Sequence, residues 1–407
     1  MHLELFERGV TKGELTLVDP SGARHRFGSG TPKATWVFRN AETLPRILKD
    51  PALQLGETYL DEGWDVADGS LADLLMILRN NFGDLVQRRT ALGELAALLQ
   101  SWNALTASVA HVRHHYDLDA ELFRAFLDRD MHYSCAYYRD PDMSLESAQL
   151  AKCNHVARKL LLGSGQRVLD IGCGWGSLAL HLAATADVAV TGLTLSAEQL
   201  RIARSEAARR GLSDRVEFQL QDYRKHHGQY DRIASVGMFE HVGRRNFGRY
   251  FDQLARQLRP RGIALLHTIG STRPPNSSNA WVRRHIFPGG HIPSLSTLSA
   301  AVERSGLTIG DIEVLRPHYA ATLKEWNRRF LAQRARFAAM KGERFCRMWE
   351  FYLVTSQTAF EYGDLVVYQL QLGGRDAPFP ATRDYLYEDV TENINAPLPT
   401  ARTLSHE

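Results

Sequence analysis

The stretch VLDIGCGWGSLAL, residues 168–180, carries the strongest fold signal in the chain. Its first residues are typical of a buried strand, and Gly172, Gly174 and Gly176 then lead into a helical pattern. Glycines directly after a strand let the backbone bend sharply and let a ligand approach without interference from a Cβ atom. The stretch therefore predicts a strand, a turn and a helix that together hold a nucleotide-like cofactor.

Strand and helix patterns alternate around this stretch. Helical patterns at 177–185, 197–210 and 246–258 separate the strand-like segments RVLDIGC, VAVTGLTL, RVEFQLQ, YDRIASVG and GIALLHTIG. Two later segments, LTIGDIEVL and LVVYQLQL, bring the number of strands to about seven. This alternation favours a parallel, doubly wound α/β sheet with helices on both faces. A ligand of such a sheet belongs at the carboxyl ends of the strands, where the glycines fall.

The N-terminal part has a different pattern. Residues 13–40 contain short strand-like segments around a turn, and apolar clusters with helical spacing follow to about residue 108. At 407 residues the chain exceeds the roughly 250–300 residues that one hydrophobic core serves. We predict an N-terminal α+β domain over 1–108, a catalytic domain over 109–390 and a polar tail over 391–407.

Composition excludes several classes of protein. The 49 basic and 46 acidic residues give a net charge of +3, which argues against a dedicated nucleic-acid binder. The four cysteines form no CxxC pair, and the adjacent His114 and His115 would point about 100° apart on a helix, so we predict no metal site. No run of about 18 apolar residues occurs, which predicts a soluble, cytoplasmic protein with at most peripheral membrane contact.

The glycine spacing selects the cofactor. A dinucleotide fingerprint places its third glycine three residues after the second and an acidic residue about 20 residues later, and this chain has neither. Here Asp170 precedes three evenly spaced glycines, a form typical of class I S-adenosylmethionine-dependent methyltransferases. An NAD-dependent oxidoreductase is therefore the least favoured alternative.

Further motifs closely resemble the cyclopropane-fatty-acyl-phospholipid synthases and the related mycolic-acid cyclopropane synthases. YSCAY, MFEHVG, LLHTIG and IFPGG occur in that family's order within residues 110–374, and LQLGETYLDEGWDVADGSLADLL looks like the N-terminal module of its longer members. The resemblance implies a seven-stranded Rossmann-like class I methyltransferase domain, a smaller N-terminal α+β domain, and a homodimer formed through that N-terminal domain.

The resemblance also implies the cofactor contacts. In this family a Thr/Gln pair stands after the second strand in place of the ribose-binding acid of NAD enzymes. Carried over position by position, the S-adenosylmethionine contacts are Tyr133, Ser134, Asp170, Gly172, Gly174, Thr194, Leu195, Gln199, Asp222 and Tyr223.

The implied reaction requires a base held close to a cation. Methyl transfer to an unactivated cis alkene creates a carbocation, and ring closure then removes a proton from the new methyl group. The resemblance implies that the base is a bound bicarbonate ion. It would be held by Cys135, Glu240, His267, the backbone of Ile269, and Tyr319. Hydroxyl, imidazole and amide groups donate to an oxyanion, and a carboxylate accepts its O–H.

Two alternatives remain open from the sequence. A relative on the same scaffold can add the methyl group but end with a methyl or methylene branch. A non-catalytic lipid-binding relative would keep the fold and use the N-terminal domain.

Two segments suggest contact with lipid. The segment 276–295 is long, apolar and punctuated by Gly and Pro, which predicts an active-site lid. Between 324 and 347, eight bases stand against only Glu325 and Glu343, namely Lys324, Arg328, Arg329, Arg334, Arg336, Lys341, Arg344 and Arg347. A solvated helical face is the default interpretation. Our hypothesis is that part of this run contacts anionic phospholipid headgroups at the inner face of the membrane.

Overall fold

The computed structural model describes residues 3–86, 120–273, 279–287 and 290–387. The predicted boundary at 108/109, the predicted tail over 391–407 and the pair His114 and His115 lie outside these residues. The division into domains at those positions therefore stays a prediction.

The N-terminal unit is a small sheet covered by helices. Its strands are β1 (Gly13–Val18), β2 (Arg24–Ser29), β3 (Lys33–Phe38) and β4 (Trp64–Val66), in the order β2-β1-β3-β4. Its helices are α1 (Leu3–Gly9), α2 (Thr43–Lys49), α3 (Pro51–Leu60) and α4 (Leu71–Val86). Buried and half-buried residues alternate along β1, so that Leu15 and Leu17 face the core.

The second unit contains a seven-stranded sheet. Its strands are β5 (Gln166–Ile171), β6 (Val188–Thr194), β7 (Val216–Leu220), β8 (Tyr230–Val236), β9 (Leu258–Ser271), β10 (Thr308–Val314) and β11 (Leu365–Gly373). Their order is β10-β11-β9-β8-β5-β6-β7, and the reversal on either side of β5 places a crevice at its carboxyl end.

One strand departs from the parallel sheet that the alternation predicted. Strand β11 is antiparallel to both of its neighbours, β10 and β9. The helix before β11 ends at Glu361, and only three residues separate it from the strand, so the chain enters the sheet at the edge where that helix ends. The parallel pattern holds for the other strands, whose connections are long enough to cross over.

Ten helices of the described residues belong to this unit. They are α5 (Ala120–Phe126), α6 (Leu145–Lys159), α7 (Ser177–Thr185), α8 (Ala197–Arg209), α9 (Phe247–Gln257), α10 (Ala280–His285), α11 (Leu295–Arg304), α12 (Arg316–Ala332), α13 (Arg334–Lys341) and α14 (Glu343–Glu361). Serine side chains cap the amino ends of α6, α8 and α11, where each accepts a hydrogen bond from a first-turn amide.

The two units share a hydrophobic core. Helix α14 packs against α3 and α4, and its Phe351 ring lies 5.7 Å from the ring of Tyr59. Short helix α10 packs against α3, and Trp281 of α10 is buried against Phe351 with ring centroids 4.8 Å apart. The segment predicted as a lid thus contains a helix that is docked on the N-terminal unit.

Most of the basic run at 324–347 is engaged in ion pairs. Six of its eight bases pair with carboxylates, including Glu121 and Glu146 of other elements and Asp61 and Asp65 of the N-terminal unit. A count along the sequence misses these acids because they come from distant segments. The hypothesis that part of this run contacts anionic headgroups stays a prediction, and these pairs reduce the excess charge on which it depends.

Candidate active site

The glycine turn is held in place by the neighbouring strand. The amides of Gly172 and Cys173 both donate to the carbonyl of Leu193 in β6, at 3.0 and 2.9 Å. Gly172 and Gly174 have φ of +84° and +54°, a region that favours glycine. A Cβ atom on Gly174 would meet no atom within 4 Å, so this side of the turn faces open space. The turn is thus built to let a ligand approach the backbone closely.

A cavity of about 150 Å³ lies beside this turn, at the carboxyl ends of β5, β6 and β8. The structure brings all ten predicted cofactor residues to its wall, namely Tyr133, Ser134, Asp170, Gly172, Gly174, Thr194, Leu195, Gln199, Asp222 and Tyr223. Their roles toward the cofactor stay a prediction, whereas their convergence is a property of the fold.

The Thr/Gln pair after β6 is hydrogen bonded. Thr194 Oγ1 donates to Gln199 Oε1 at 2.8 Å, and both side chains are buried. This bond engages the amide oxygen of Gln199 and leaves its N–H groups for another acceptor. A side-chain amide in this place suits a ligand hydroxyl.

At the other end of the cavity, Asp222 is already engaged by a neighbour that the sequence analysis did not select. Arg224 donates to the Asp222 carboxylate through Nε at 2.9 Å and through Nη2 at 2.6 Å, and both side chains are almost fully buried. The ring of Tyr223 packs edge-on against Tyr250. Arg224 directly follows Tyr223 in the sequence, but only the fold shows that its guanidinium reaches this wall.

Lys152 is a second residue of this wall that no sequence motif indicated. This lysine of α6 is buried, lines the same cavity and donates from Nζ to Ser134 Oγ at 3.3 Å. On the same wall, burial raises the pKa of Asp170 to about 7 although Lys152 opposes the shift, and Oδ2 of Asp170 has no hydrogen-bond partner. A buried cation and an unsatisfied carboxylate oxygen complement the carboxylate and ammonium of an amino-acid ligand, which fits S-adenosylmethionine.

A larger cavity of about 850 Å³ adjoins the first one. Tyr133, Ser134, Gly237 and His241 line both cavities. Apolar side chains of α2, α3 and α4 from the N-terminal unit form one side of the larger cavity. The five predicted base-site residues, Cys135, Glu240, His267, Ile269 and Tyr319, all line it.

Glu240 is held by the strand end beside it. Its Oε1 accepts the amide of Ile269 at 2.6 Å, whereas its buried Oε2 has no partner. Burial raises the pKa of Glu240, and the Ile269 amide opposes this shift. The resemblance assigns the Ile269 amide to a bound anion, but in this structure the amide donates to Glu240, because a carboxylate is a strong acceptor.

His267 is a neutral histidine in the wall of the larger cavity. It lies opposite Gln369 of β11, and Gln369 Nε2 lies 3.1 Å from His267 Nδ1. Burial lowers the pKa of His267 to about 3, and Lys152 and Lys159 contribute to the shift. With Nδ1 accepting from Gln369, the ring carries its proton on Nε2 as a hydrogen-bond donor.

Cys135 and Tyr319 are both buried, which the sequence motifs did not indicate. The Cys135 thiol is fully buried, donates to the carbonyl of Ala136 at 3.2 Å and has a pKa raised by burial. The Tyr319 ring packs against Phe360 and Trp326, with centroids 4.8 and 5.9 Å away. Both residues line the cavity with Glu240, so the structure brings the predicted set together.

The loop that carries Tyr133 and Ser134 has its own buried support. His132 Nδ1 lies 2.8 Å from Asp128 Oδ2, and its Nε2 lies 3.2 Å from the Sγ of Cys153. The amide of His132 also donates to Asp128 at 2.8 Å. This chain of three side chains anchors the loop to α6, and no sequence motif pointed to it.

Comparisons with known proteins agree with this geometry. A model of the mycolic acid cyclopropane synthetase family matches residues 103–370. The cyclopropane-fatty-acyl-phospholipid synthase of Escherichia coli strain K12 is 39% identical over 350 residues, or 84% of this chain and 88% of that protein. The tuberculostearic acid methyltransferase UfaA1 of Mycobacterium tuberculosis is 36% identical over 389 residues, or 90% of each chain.

Solved structures give the same result for the fold. The mycolic acid cyclopropane synthase CmaA1, complexed with SAH and CTAB, superposes with a TM-score of 0.62 at 33% identity, covering 65% of this chain and 97% of that chain. The predicted class I methyltransferase fold is therefore confirmed.

Proposed function

This chain belongs to the mycolic acid cyclopropane synthetase family, and we propose that it adds a methylene unit from S-adenosylmethionine across the cis double bond of an unsaturated phospholipid acyl chain. The recognition based on the sequence motifs is confirmed, and the chain is an enzyme. A non-catalytic lipid-binding role is thus not supported.

The observation that carries this proposal is the junction of the two cavities. The smaller one combines the features of a site for an amino-acid nucleoside, and the larger one is lined mostly by apolar side chains. They meet at Tyr133, Ser134, Gly237 and His241. A methyl donor in the first cavity and an alkene in the second would therefore face each other across this junction.

The cofactor, when bound, supplies an electrophilic methyl group. Lys152 and Asp170 would hold the charged ends of its amino-acid part, and Gln199 would donate to its ribose. Apolar walls of the larger cavity exclude the water that would otherwise capture a carbocation on the substrate. The protein thus orients the alkene toward the methyl group and keeps water away from both. These two effects favour a reaction in which the alkene itself is only a weak nucleophile.

The second step needs a proton acceptor, and the residues of the larger cavity suit a bound anion. Hydrogen carbonate, which the resemblance implies, would supply the base when bound there. The free Oε2 of Glu240 can accept its O–H, and the Nε2 proton of neutral His267 can be donated to its oxygens. Tyr319 and Cys135 would complete the set, with Ile269 holding Glu240 in place.

The direct test incubates the purified protein with S-adenosylmethionine and vesicles of cis-unsaturated phospholipid, followed by mass spectrometry of the released acyl chains. We expect a product one CH₂ heavier that no longer reacts as an alkene. Absence of any heavier product, under conditions in which cofactor binding is measured by calorimetry, would exclude the proposal.

A second candidate product has support from a specific comparison. The similarity to tuberculostearic acid methyltransferase UfaA1 extends over 90% of the chain. A branched alkene has the same mass as the ring product but keeps a double bond that can be derivatised. Derivatisation before mass spectrometry therefore distinguishes the two outcomes.

A phospholipid substrate requires contact with the membrane surface. Within the described residues, no helix is long and apolar enough to cross a bilayer. We expect peripheral binding at the cytoplasmic face, and a homodimer formed through the N-terminal domain. Vesicle flotation and light scattering test these two expectations.

A further inference from the structure

The larger cavity contains a charged side chain that the proposed reaction does not use. Helix α4 presents Leu75, Leu78, Arg79 and Phe82 to this cavity, which is one stripe with helical spacing. Arg79 is the charged residue of that stripe. Its Nε is buried and has no hydrogen-bond partner.

Arg79 lies next to a carboxylate that it shares with a second arginine. Asp364 is the acidic residue that interacts electrostatically with Arg79, and Arg273 Nε lies 2.9 Å from Asp364 Oδ1. All three residues line the larger cavity. Arg79 and Arg273 thus approach the same carboxylate from different parts of the chain.

Burial makes the positive charge of Arg79 costly unless an anion compensates it. Desolvation lowers the pKa of Arg79, and the attraction of Asp364 offsets only part of the shift. A guanidinium has five N–H donors, and a buried donor without an acceptor destabilises the folded protein. Within the cluster of Arg79, Asp364 and Arg273, the Nε of Arg79 is therefore short of one acceptor group.

The cluster and the base site are connected by the end of strand β9. Leu365 of β11 pairs with Ser271 of β9, so Asp364 and Arg273 flank the carboxyl end of β9. Ile269, whose amide holds Glu240, precedes Ser271 by two residues, or about 7 Å at the rise of a strand. Arg273 follows two residues further along the chain.

We propose that Arg79 and Arg273 form a subsite for the anionic oxygen group at the charged end of the acyl substrate, either the phosphate of a phospholipid or the carboxylate of a free fatty acid. This inference rests on the proposed function. The cluster fixes the charged end of the substrate, and the distance to Glu240 then sets which carbon atoms of the chain reach the junction with the cofactor cavity.

The test compares three cis-unsaturated lipids in the same neutral-detergent micelles, namely dioleoyl phosphatidylglycerol, oleate and dioleoylglycerol. The measured quantity is the ratio of kcat/KM for each anionic lipid to kcat/KM for dioleoylglycerol. This ratio cancels any loss of folded enzyme. The variants are Arg79→Gln and Arg273→Gln, and the control is Arg344→Gln, whose partner Asp61 lies on the exposed surface.

We expect the ratio to fall roughly tenfold or more in both variants and to stay unchanged in the control. A fall for phosphatidylglycerol identifies phosphate as the group bound, and a fall for oleate identifies carboxylate. Equal ratios in the wild type and in both variants would overturn the inference. If no lipid gives a product even with the wild type, the proposed function itself fails.

Discussion

The pKa values of single side chains in this protein depend more on burial than on the neighbouring residues in the sequence. Burial raises the pKa of Glu240 and lowers that of His267, so that the same apolar surroundings disfavour the charged form of both groups. The result is a site whose donors and acceptors are set before a ligand arrives.

Replacement of Glu240 by Gln should separate turnover from cofactor binding. Glutamine keeps the acceptor for the Ile269 amide but replaces the free Oε2 with a donor. We expect turnover to fall about 100-fold or more, because the loss of a group that takes part in a proton transfer typically has an effect of this size. Cofactor affinity should stay unchanged in calorimetry, because Glu240 does not line the cofactor cavity.

A suitable control is Glu57→Gln, which changes a buried carboxylate that accepts from His285 outside both cavities. This variant should keep most of its turnover. If Glu240→Gln formed product at the wild-type rate, Glu240 would have no part in the reaction.

His132 gives a prediction for stability against pH. Burial lowers its pKa, but Cys153 and Asp128 outweigh burial and raise it to about 9. A histidine with a raised folded-state pKa stabilises the protein fully below its unfolded value of about 6.5, and this contribution is lost as the pH rises through about 9. The melting temperature of the wild type should therefore be higher than that of His132→Gln. The difference should be largest at pH 6 and smallest near pH 10.

The control for this series is His227→Gln, because His227 is exposed. Its melting temperature should follow that of the wild type over the same pH range. If the difference in melting temperature between the wild type and His132→Gln were constant from pH 6 to pH 10, His132 would not carry a positive charge in the folded protein.

At the scale of elements, two glycines of the turn after β5 are required for different reasons. A Cβ on Gly172 would lie 2.6 Å from the Cβ of Met238, so this position is closed by packing. Gly174 has space around it, and its left-handed backbone tolerates alanine at a cost of roughly 1–2 kcal/mol. The two positions thus serve the fold and the ligand respectively.

Gly174→Ala should fold but bind the cofactor poorly. The new methyl group would point into the space beside the turn, which is where a ligand approaches the backbone. We expect at least a tenfold loss of S-adenosylhomocysteine affinity in calorimetry, with a modest loss of melting temperature.

Gly211→Ala is the matched control, because Gly211 also has a positive φ, of +68°, and no atom within 4 Å, but lies outside both cavities. It should lose similar stability and keep its affinity. Equal affinities in the two variants would show that the turn does not contact the cofactor.

The sequence predicted these elements well where the pattern is local. The helices at 177–185 and 197–210 appear within one residue of their predicted ends, because strand alternation and helical spacing are properties of neighbouring residues. The antiparallel course of β11 was missed because a strand pattern carries no direction. Lys152 and Arg224 were missed because only the fold shows which cavity a side chain reaches.

At the scale of the whole molecule, the larger cavity exists only because the two units share one core. Helices α2, α3 and α4 of the N-terminal unit line it together with β9 and α14 of the other unit. Removal of the N-terminal unit would open one wall of the cavity to water. Two ion pairs of the basic run, Arg344 with Asp61 and Arg347 with Asp65, cross the same interface.

Arg347 is the deepest of these contacts. From α14 its Nε donates to the carbonyl of Tyr59 at 2.6 Å, and its Nη2 donates to the carbonyl of Trp64 at 2.9 Å and to Asp65 Oδ1 at 2.7 Å. The guanidinium also lies 3.9 Å from the centroid of the Tyr59 ring. One buried side chain thus satisfies three acceptors of the N-terminal unit.

Arg347→Met should loosen the two units, because it leaves these acceptors without a donor. We expect a loss of about 3–5 kcal/mol in the free energy of unfolding, measured with urea, and faster proteolysis of the N-terminal unit. Arg344→Met, three residues earlier on the same helix, removes an exposed pair with Asp61 and should cost about 0–1 kcal/mol. Because the cavity needs both units, only Arg347→Met should also lower turnover on lipid while cofactor affinity is kept. If the two variants lost equal stability, Arg347 would not be the link between the units.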